Sequence, residues 1–181
     1  MTTPRIGLAL SGGGSKGAFT VGALKVVRQQ LGVTRFPVIS GTSTGSLVGT
    51  MLATNDWSAL VDAYSNVKTE NIVNPHYALV ESVGGPEAVL FAAAVMGGRA
   101  IYDTTALRET IKANVDFTKV KAAFPGTLLI YNAVDLQTGK IATFNSRDHE
   151  ASMLENALVA SSNMPVLMDP VEIKADGETH Q

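Results

Sequence analysis

The chain has 181 residues, 45% of them hydrophobic and 17% charged, with 14 Lys and Arg against 16 Asp and Glu and a formal net charge of −2. This fits one globular domain with a substantial buried core, excludes a disordered chain, and gives no reason to expect nucleic-acid binding. Cysteine is absent, which excludes disulfides, thiolate metal sites and cysteine nucleophiles; nothing calls for a metal or another cofactor.

Ile6 to Leu10 is a short apolar run that stops at Ser11-Gly-Gly-Gly-Ser-Lys-Gly17, the pattern of a buried strand feeding a turn. Between Met1-Thr-Thr-Pro-Arg5 and the glycines stand only six residues, Ile6 to Ser11, too few for a signal-peptide apolar core, and no stretch approaches the roughly 18 apolar residues of a membrane span. The expectation is a soluble, cytoplasmic protein. Ala18 to Leu31 has helical spacing, with Val21, Leu24, Val27 and Leu31 on one face and Gly32 as the stop. Phe36 to Ser40 reads as a second buried strand that runs into Gly41-Thr-Ser-Thr-Gly45, and Ser46 to Ala53 continues as an apolar helix broken near Thr54-Asn55. Strand, glycine loop, helix, strand, tight turn, helix predicts parallel strands joined by helical crossovers, an α/β fold.

Those first 55 residues contain no Asp or Glu, yet carry Arg5, Lys16, Lys25, Arg28 and Arg35. A locally basic face suits an anionic head group or membrane surface. Scattered surface cations without a role are the plainer reading.

Further along, Trp57, Leu60, Val61, Tyr64 and Val67 fit an amphipathic helix capped by Asn55 or Asp56. Pro86 opens a predicted helix from Glu87 to Met96 that is apolar almost all round. Its Val89 to Met96 part fits an acyl-chain pocket or lipid-facing cap as well as it fits a plain core helix. Asp103 is expected to cap a helix carrying Leu107, Ile111 and Val115. Thr127 to Val134 and Lys140 to Phe144 flank Gln137-Thr-Gly139 as a hairpin-like pair. A helix around Ala151 to Ser162, with Leu154, Ala157, Leu158 and Ser161 on one face, stops at Pro165. Val171 to Lys174 is one more strand, turning at Asp176-Gly177. No repeat, low-complexity tract or linker intervenes, so 1–181 is expected to be a single domain.

Gly41-Thr42-Ser43-Thr44-Gly45 matches the G-x-S-x-G nucleophile elbow, and its context matters more than its letters. A serine hydroxyl that must meet a substrate carbonyl sits on a sharp strand-to-helix turn, and flanking glycines relieve the crowding there. A strand pattern precedes this motif and a helix pattern follows it, so Ser43 is the candidate nucleophile. The helix start directs N–H groups and positive dipole, with the Thr44 N–H among them, toward a developing oxyanion.

The loop Gly12-Gly-Gly-Ser-Lys-Gly17 also satisfies G-x-G-x-x-G. A dinucleotide unit wants an acid about 20 positions later, but the first acid is Asp56; a Walker loop wants Lys-Ser/Thr after its last glycine, but Ala18-Phe19 stands there. The alternative is an oxyanion hole from the loop Gly12, Gly13 and Gly14, in which the N–H groups of Gly13 and Gly14 face the carbonyl attacked by Ser43. Lys16 is either a head-group contact or a solvated loop lysine.

Together, Leu10-Ser-Gly-Gly-Gly-Ser-Lys-Gly-Ala-Phe19 and Ile39-Ser-Gly-Thr-Ser-Thr-Gly-Ser46 resemble the patatin-like phospholipase family, as do Tyr102-Asp103 before a helix and Ala160-Ser-Ser-Asn-Met-Pro165 before a strand. The resemblance covers essentially the whole chain. It implies a three-layer α/β/α fold with a mainly parallel central sheet and a phospholipid or other acyl-lipid substrate. It also implies peripheral membrane contact and a Ser–Asp dyad whose Asp belongs to a D-G-[GA] motif at the end of a hairpin's second strand. Here the chain departs from the pattern: Asp176-Gly177-Glu178 falls at the tip of the expected hairpin, so the base is expected beyond Gln181. Three rivals stay open. One is a triad using Asp135, Asp148 or Asp169 with His149 or His180, His76 being more simply a surface residue. The others are a catalytically idle lipid- or protein-binding module and nucleotide binding through Gly12 to Gly17.

Overall fold

The computed structural model describes residues 6–75, 100, 102–165, 167–175 and 178–180. The strand β1 (Leu8–Leu10) leads through a 3-10 turn (Gly14–Lys16) into the helix α1 (Gly17–Leu31); β2 (Val38–Thr42) then leads into α2 (Thr44–Ala53) and α3 (Trp57–Asn66). A short antiparallel pair joins β3 (Asn74–Pro75) to β4 (Tyr102–Asp103), followed by α4 (Thr105–Asn114) and α5 (Phe117–Ala122). The chain continues through β5 (Leu128–Val134), β6 (Ile141–Asn145), α6 (Ala151–Ser162) and the antiparallel pair β7 (Ile173–Ala175) and β8 (Glu178–His180).

The main sheet has the order β1-β2-β5-β6, its first three strands parallel and β6 antiparallel to β5. This is the mainly parallel α/β architecture that the alternation of elements predicts. Both crossovers step in the same direction, so right-handed connections lay α1 and α2 on one side. Leu10, Ile39, Leu129, Tyr131 and Phe144 form the covered face of the sheet and are buried with Val48, Leu154 and Leu158. The helix α2 approaches closely: a methyl built on Gly49 would stand 2.9 Å from Ile39 Cγ2. On the opposite face Val38, Val134 and Ile141 are exposed.

Most local expectations are met. Gly32 closes α1 in the left-handed region at φ 65°, Asp56 accepts from the Ala59 N–H at the start of α3, and Gly139 turns the β5–β6 hairpin at φ 69°. The second strand starts at Val38 rather than Phe36, because Pro37 has no N–H to give the ladder. Leu31 is 70% exposed although it shares a stripe with the buried Val21 and Leu24; packing ends before the last turn of α1. The N-cap of α4 is Thr104 rather than Asp103, without a side-chain cap bond of its own; the Asp103 carboxylate, one residue earlier, accepts the Thr105 N–H at 2.8 Å. The six-residue α5, capped by Asp116, is absent from the sequence reading. Glu87 to Met96, Asp176 and Gly177 lie outside the described residues.

Candidate active site

Ser43 stands where β2 ends and α2 begins. Its φ of 54° and ψ of −128° are a conformation that non-glycine residues rarely adopt; holding it costs about 1–3 kcal/mol. The surroundings leave it little choice. A methyl on Gly41 would lie 2.6 Å from both the Gly45 carbonyl oxygen and the Ser46 nitrogen, and one on Gly45 would overlap the Leu10 carbonyl. The turn therefore presses on the end of β1 on one side and on its own helix on the other. The Ser43 carbonyl accepts from the N–H groups of Ser46 and Leu47 at 2.8 and 3.2 Å, which starts α2. Because α2 is ten residues long and mostly buried, the positive end of its dipole meets Ser43 with little solvent screening along the helix.

The glycine loop lies against this turn. A methyl on Gly12 would stand 3.0 Å from Ser43 Cβ and 3.7 Å from Ser43 Oγ. The Thr44 hydroxyl donates to the Gly14 carbonyl at 2.9 Å, pinning loop to elbow. At Gly17 a methyl would collide with Thr44 Cγ2 and Tyr64 Cε1, both 2.6 Å away, so α1 packs directly on the start of α2. Tyr64 closes this contact by donating to the Thr44 carbonyl at 3.3 Å, and burial pushes its phenol upward. Gly13 and Gly14 differ from their neighbours. A methyl at Gly13 meets only Lys16 Cβ, at 3.4 Å, and one at Gly14 meets nothing within 4 Å, while Gly14 takes φ 55°. The structure thus brings together Gly12, Gly13, Gly14, Gly41, Thr42, Ser43, Thr44 and Gly45. Lys16 is exposed at the end of the loop. Of the other early cations, Arg28 is occupied, stacked 4.8 Å from the Trp57 ring centroid and donating to the Thr34 carbonyl.

One participant falls in the Ala160-Ser-Ser-Asn-Met-Pro165 segment, whose sequence does not announce its contact with the elbow. Ser161, near the end of α6, accepts the Ser43 N–H at 3.0 Å and contacts the Ser46 hydroxyl at 2.8 Å. Its own proton goes to the Asn132 carbonyl on β5, at 2.6 Å. The Asn132 amide in turn donates to the Gly41 carbonyl and to Ser40 Oγ, each at 3.1 Å. Deeper in, Thr50 donates to the Ser46 carbonyl at 2.7 Å, so the fully buried Tyr131 hydroxyl is the donor in its own 2.7 Å contact with Thr50. Burial drives the Tyr131 phenol far upward, keeping it a neutral donor.

Two residues of the triad alternative, Asp148 and His149, are placed otherwise. Asn145 pairs with Ile130, and Lys121, from the helix before β5, donates to the carbonyls of Arg147 and His149. Asp148 and His149 therefore belong to the N-terminal end of β5. Ser43 follows Thr42, which pairs with Asn132 toward the other end. Asp148 is held by Arg147 and Asn145, which bring its carboxyl down to about 2. The Asp135 carboxylate binds the Gln137 N–H and the Thr138 hydroxyl in the hairpin turn. Among the described residues no group of three or more His, Asp or Glu is placed to hold a metal ion, and no helix is long and apolar enough to cross a membrane.

A family model described as patatin-like phospholipase matches residues 8–180. A 49-residue stretch is 45% identical to a cUMP-AMP-activated phospholipase of Escherichia coli, over 25% of this chain and 15% of that protein. The crystal structure of VipD from Legionella pneumophila superposes with a TM-score of 0.62 at 13% identity, over 98% of this chain and 45% of that one. The matches thus cover 15% and 45% of the length of these two relatives.

Proposed function

The chain belongs to the patatin-like phospholipase family, and we propose that it is a serine lipid-acyl hydrolase of the phospholipase A or esterase type, with Ser43 as its nucleophile. The observation that carries this reading is the Ser43 backbone, held at φ 54° between a parallel strand and the N-terminus of a buried helix, with the glycine loop against its side chain. A base takes the hydroxyl proton while Ser43 Oγ attacks the acyl carbonyl carbon. Charge moves to the carbonyl oxygen, where the N–H groups of Gly13, Gly14 and Thr44 receive it, and collapse expels the alcohol with the proton returned to it. Water, activated by the same base, then releases the fatty acid. Nothing in this sequence of steps calls for a metal or cofactor. The exposed Lys16 meets the head group of a phospholipid, and contact with the membrane is peripheral.

The base is read as an aspartate, in a dyad. Asp135 and Asp148 are engaged in local turns, and Asp176 lies outside the described residues. In a chain that retains its base, a fluorophosphonate probe should label Ser43, and Ser43→Ala should abolish labelling; persistent labelling in that variant would remove Ser43 from the role. Ester turnover lost in a folded Asp176→Asn would assign the base to Asp176. Unchanged turnover there would assign it to an aspartate elsewhere in the natural protein.

A further inference from the structure

The Ser161 hydroxyl is saturated. A serine hydroxyl has one proton to give and two lone pairs to receive with. The proton goes to the Asn132 carbonyl, which can only accept, so the Ser43 N–H and the Ser46 hydroxyl must both be donors to Ser161. All three partners are fixed by secondary structure: Asn132 on β5, Ser46 in the first turn of α2, and Ser43 at the turn itself. Ser161 is 6% exposed and sits on the buried face of α6, beside Leu154, Ala157 and Leu158. Its position is set by helix packing rather than by the loop it contacts.

The consequence lies in the peptide that precedes Ser43. With its N–H turned inward to Ser161, Ser43 is restrained at positive φ from behind, while Asn132 restrains the Gly41 carbonyl two residues earlier. The turn is thus gripped on both sides of Thr42 by groups of β5 and α6. The side chain of Ser43 has the Gly12 position beside it, where a built methyl would stand 3.7 Å from Oγ. A displacement of about 1 Å at a reacting group costs on the order of a hundredfold in rate, so a single well-placed acceptor behind the nucleophile has leverage on turnover.

We propose that Ser161 is a positioning residue for the nucleophile: its hydroxyl holds the Ser43 backbone in the geometry that presents Ser43 Oγ to an acyl carbonyl. This rests on the reading of Ser43 as nucleophile. Ser161 touches no reacting atom. Its effect passes through the Ser43 N–H, which separates it from the oxyanion donors of the glycine loop.

The test compares Ser161→Ala, Ser161→Thr and Ser161→Cys with Leu158→Ala, a cavity-forming change on the same helix face. The rate constant of fluorophosphonate labelling at Ser43, the Tm and hydrogen exchange of the Ser43 amide are measured for each. Ser161→Ala is expected to slow labelling on the order of ten- to a hundredfold and to speed Ser43 amide exchange at least about tenfold. The Ile39 and Leu129 amides keep their protection. Ser161→Thr, which keeps an oxygen acceptor, recovers most of the labelling rate, whereas Ser161→Cys, whose sulfur accepts weakly, does not. Should Ser161→Ala prove unfolded, the Ser161→Cys and Ser161→Thr pair carries the same comparison. The proposal is overturned if folded Ser161→Ala or Ser161→Cys labels at the normal rate. It is also overturned if Leu158→Ala slows labelling as much at an equal fall in Tm. If the unsubstituted protein, with its base present, is not labelled at all, the nucleophile assignment falls on its own; the exchange of the Ser43 amide still reports whether Ser161 holds it.

Discussion

Gly41 and Gly45 in the elbow and Gly13 and Gly14 in the loop stand within one site, yet they answer opposite demands. A methyl on either elbow glycine would run into main chain, at Gly45 O and Ser46 N in one case and at the Leu10 carbonyl in the other. Main-chain atoms of a strand and a helix cannot step aside, so these glycines exist to let three elements meet. At Gly13 and Gly14 there is room to spare, and Gly14 takes φ 55° with nothing within 4 Å of a built methyl. There the missing side chain leaves an approach open to the backbone. One glycine pair sets how close the framework comes, and the other leaves the loop backbone uncovered. Gly12 stands between these cases, free on the loop side but 3.0 Å from Ser43 Cβ.

Substitution by alanine turns the contrast into measurements. Gly45→Ala should be the most damaging, because the added carbon overlaps the end of β1. We expect a loss of about 4 kcal/mol, near the upper end for single substitutions, seen as a Tm drop of roughly 8–16 °C for a chain of this size. A Gly45→Ala protein that melts normally would mean that the elbow is not packed as described. Gly12→Ala should leave the fold intact, since its closest neighbour is the one side chain of Ser43, but shift that side chain by a few tenths of an ångström. Fluorophosphonate labelling of Ser43 should fall about tenfold with Tm nearly unchanged; equal losses in both would place Gly12 with the elbow glycines. Gly14→Ala should be mildest, costing only the left-handed backbone, about 1 kcal/mol or roughly 2–4 °C in Tm. A larger loss would show that the loop is packed against something after all.

The first half of the site is legible in the sequence because its determinants are local. Ser43 is marked by glycines two residues to either side and by the change from strand to helix pattern across it, and Gly12 to Gly17 by their own spacing. Helix α6 is also legible, to the residue, from the spacing of Leu154, Ala157, Leu158 and Ser161. That spacing marks Ser161 as a core-facing position but not as the acceptor of the Ser43 N–H. The two are 118 residues apart, and only the sheet order β1-β2-β5-β6 brings them together. Helix α5 escapes for another reason. Six residues are too few for a 3.6-residue period to declare itself, although the Asp116 side chain that caps it at Thr118 and Lys119 is a signal of the right kind.

The distance along the chain between Ser43 and Ser161 also has a meaning in time. At typical rates of synthesis, roughly 6 to 24 seconds separate the appearance of residue 43 from that of residue 161. During that interval the strand, the turn and the first helices are already made, but β5 and the end of α6, which grip the turn on both sides, are not. The nascent chain therefore carries its serine throughout that interval without the groups that set its backbone. A ribosome-bound chain too short to have brought β5 and residue 161 out of the ribosome should react with a serine probe far more slowly than one that has folded them against the turn.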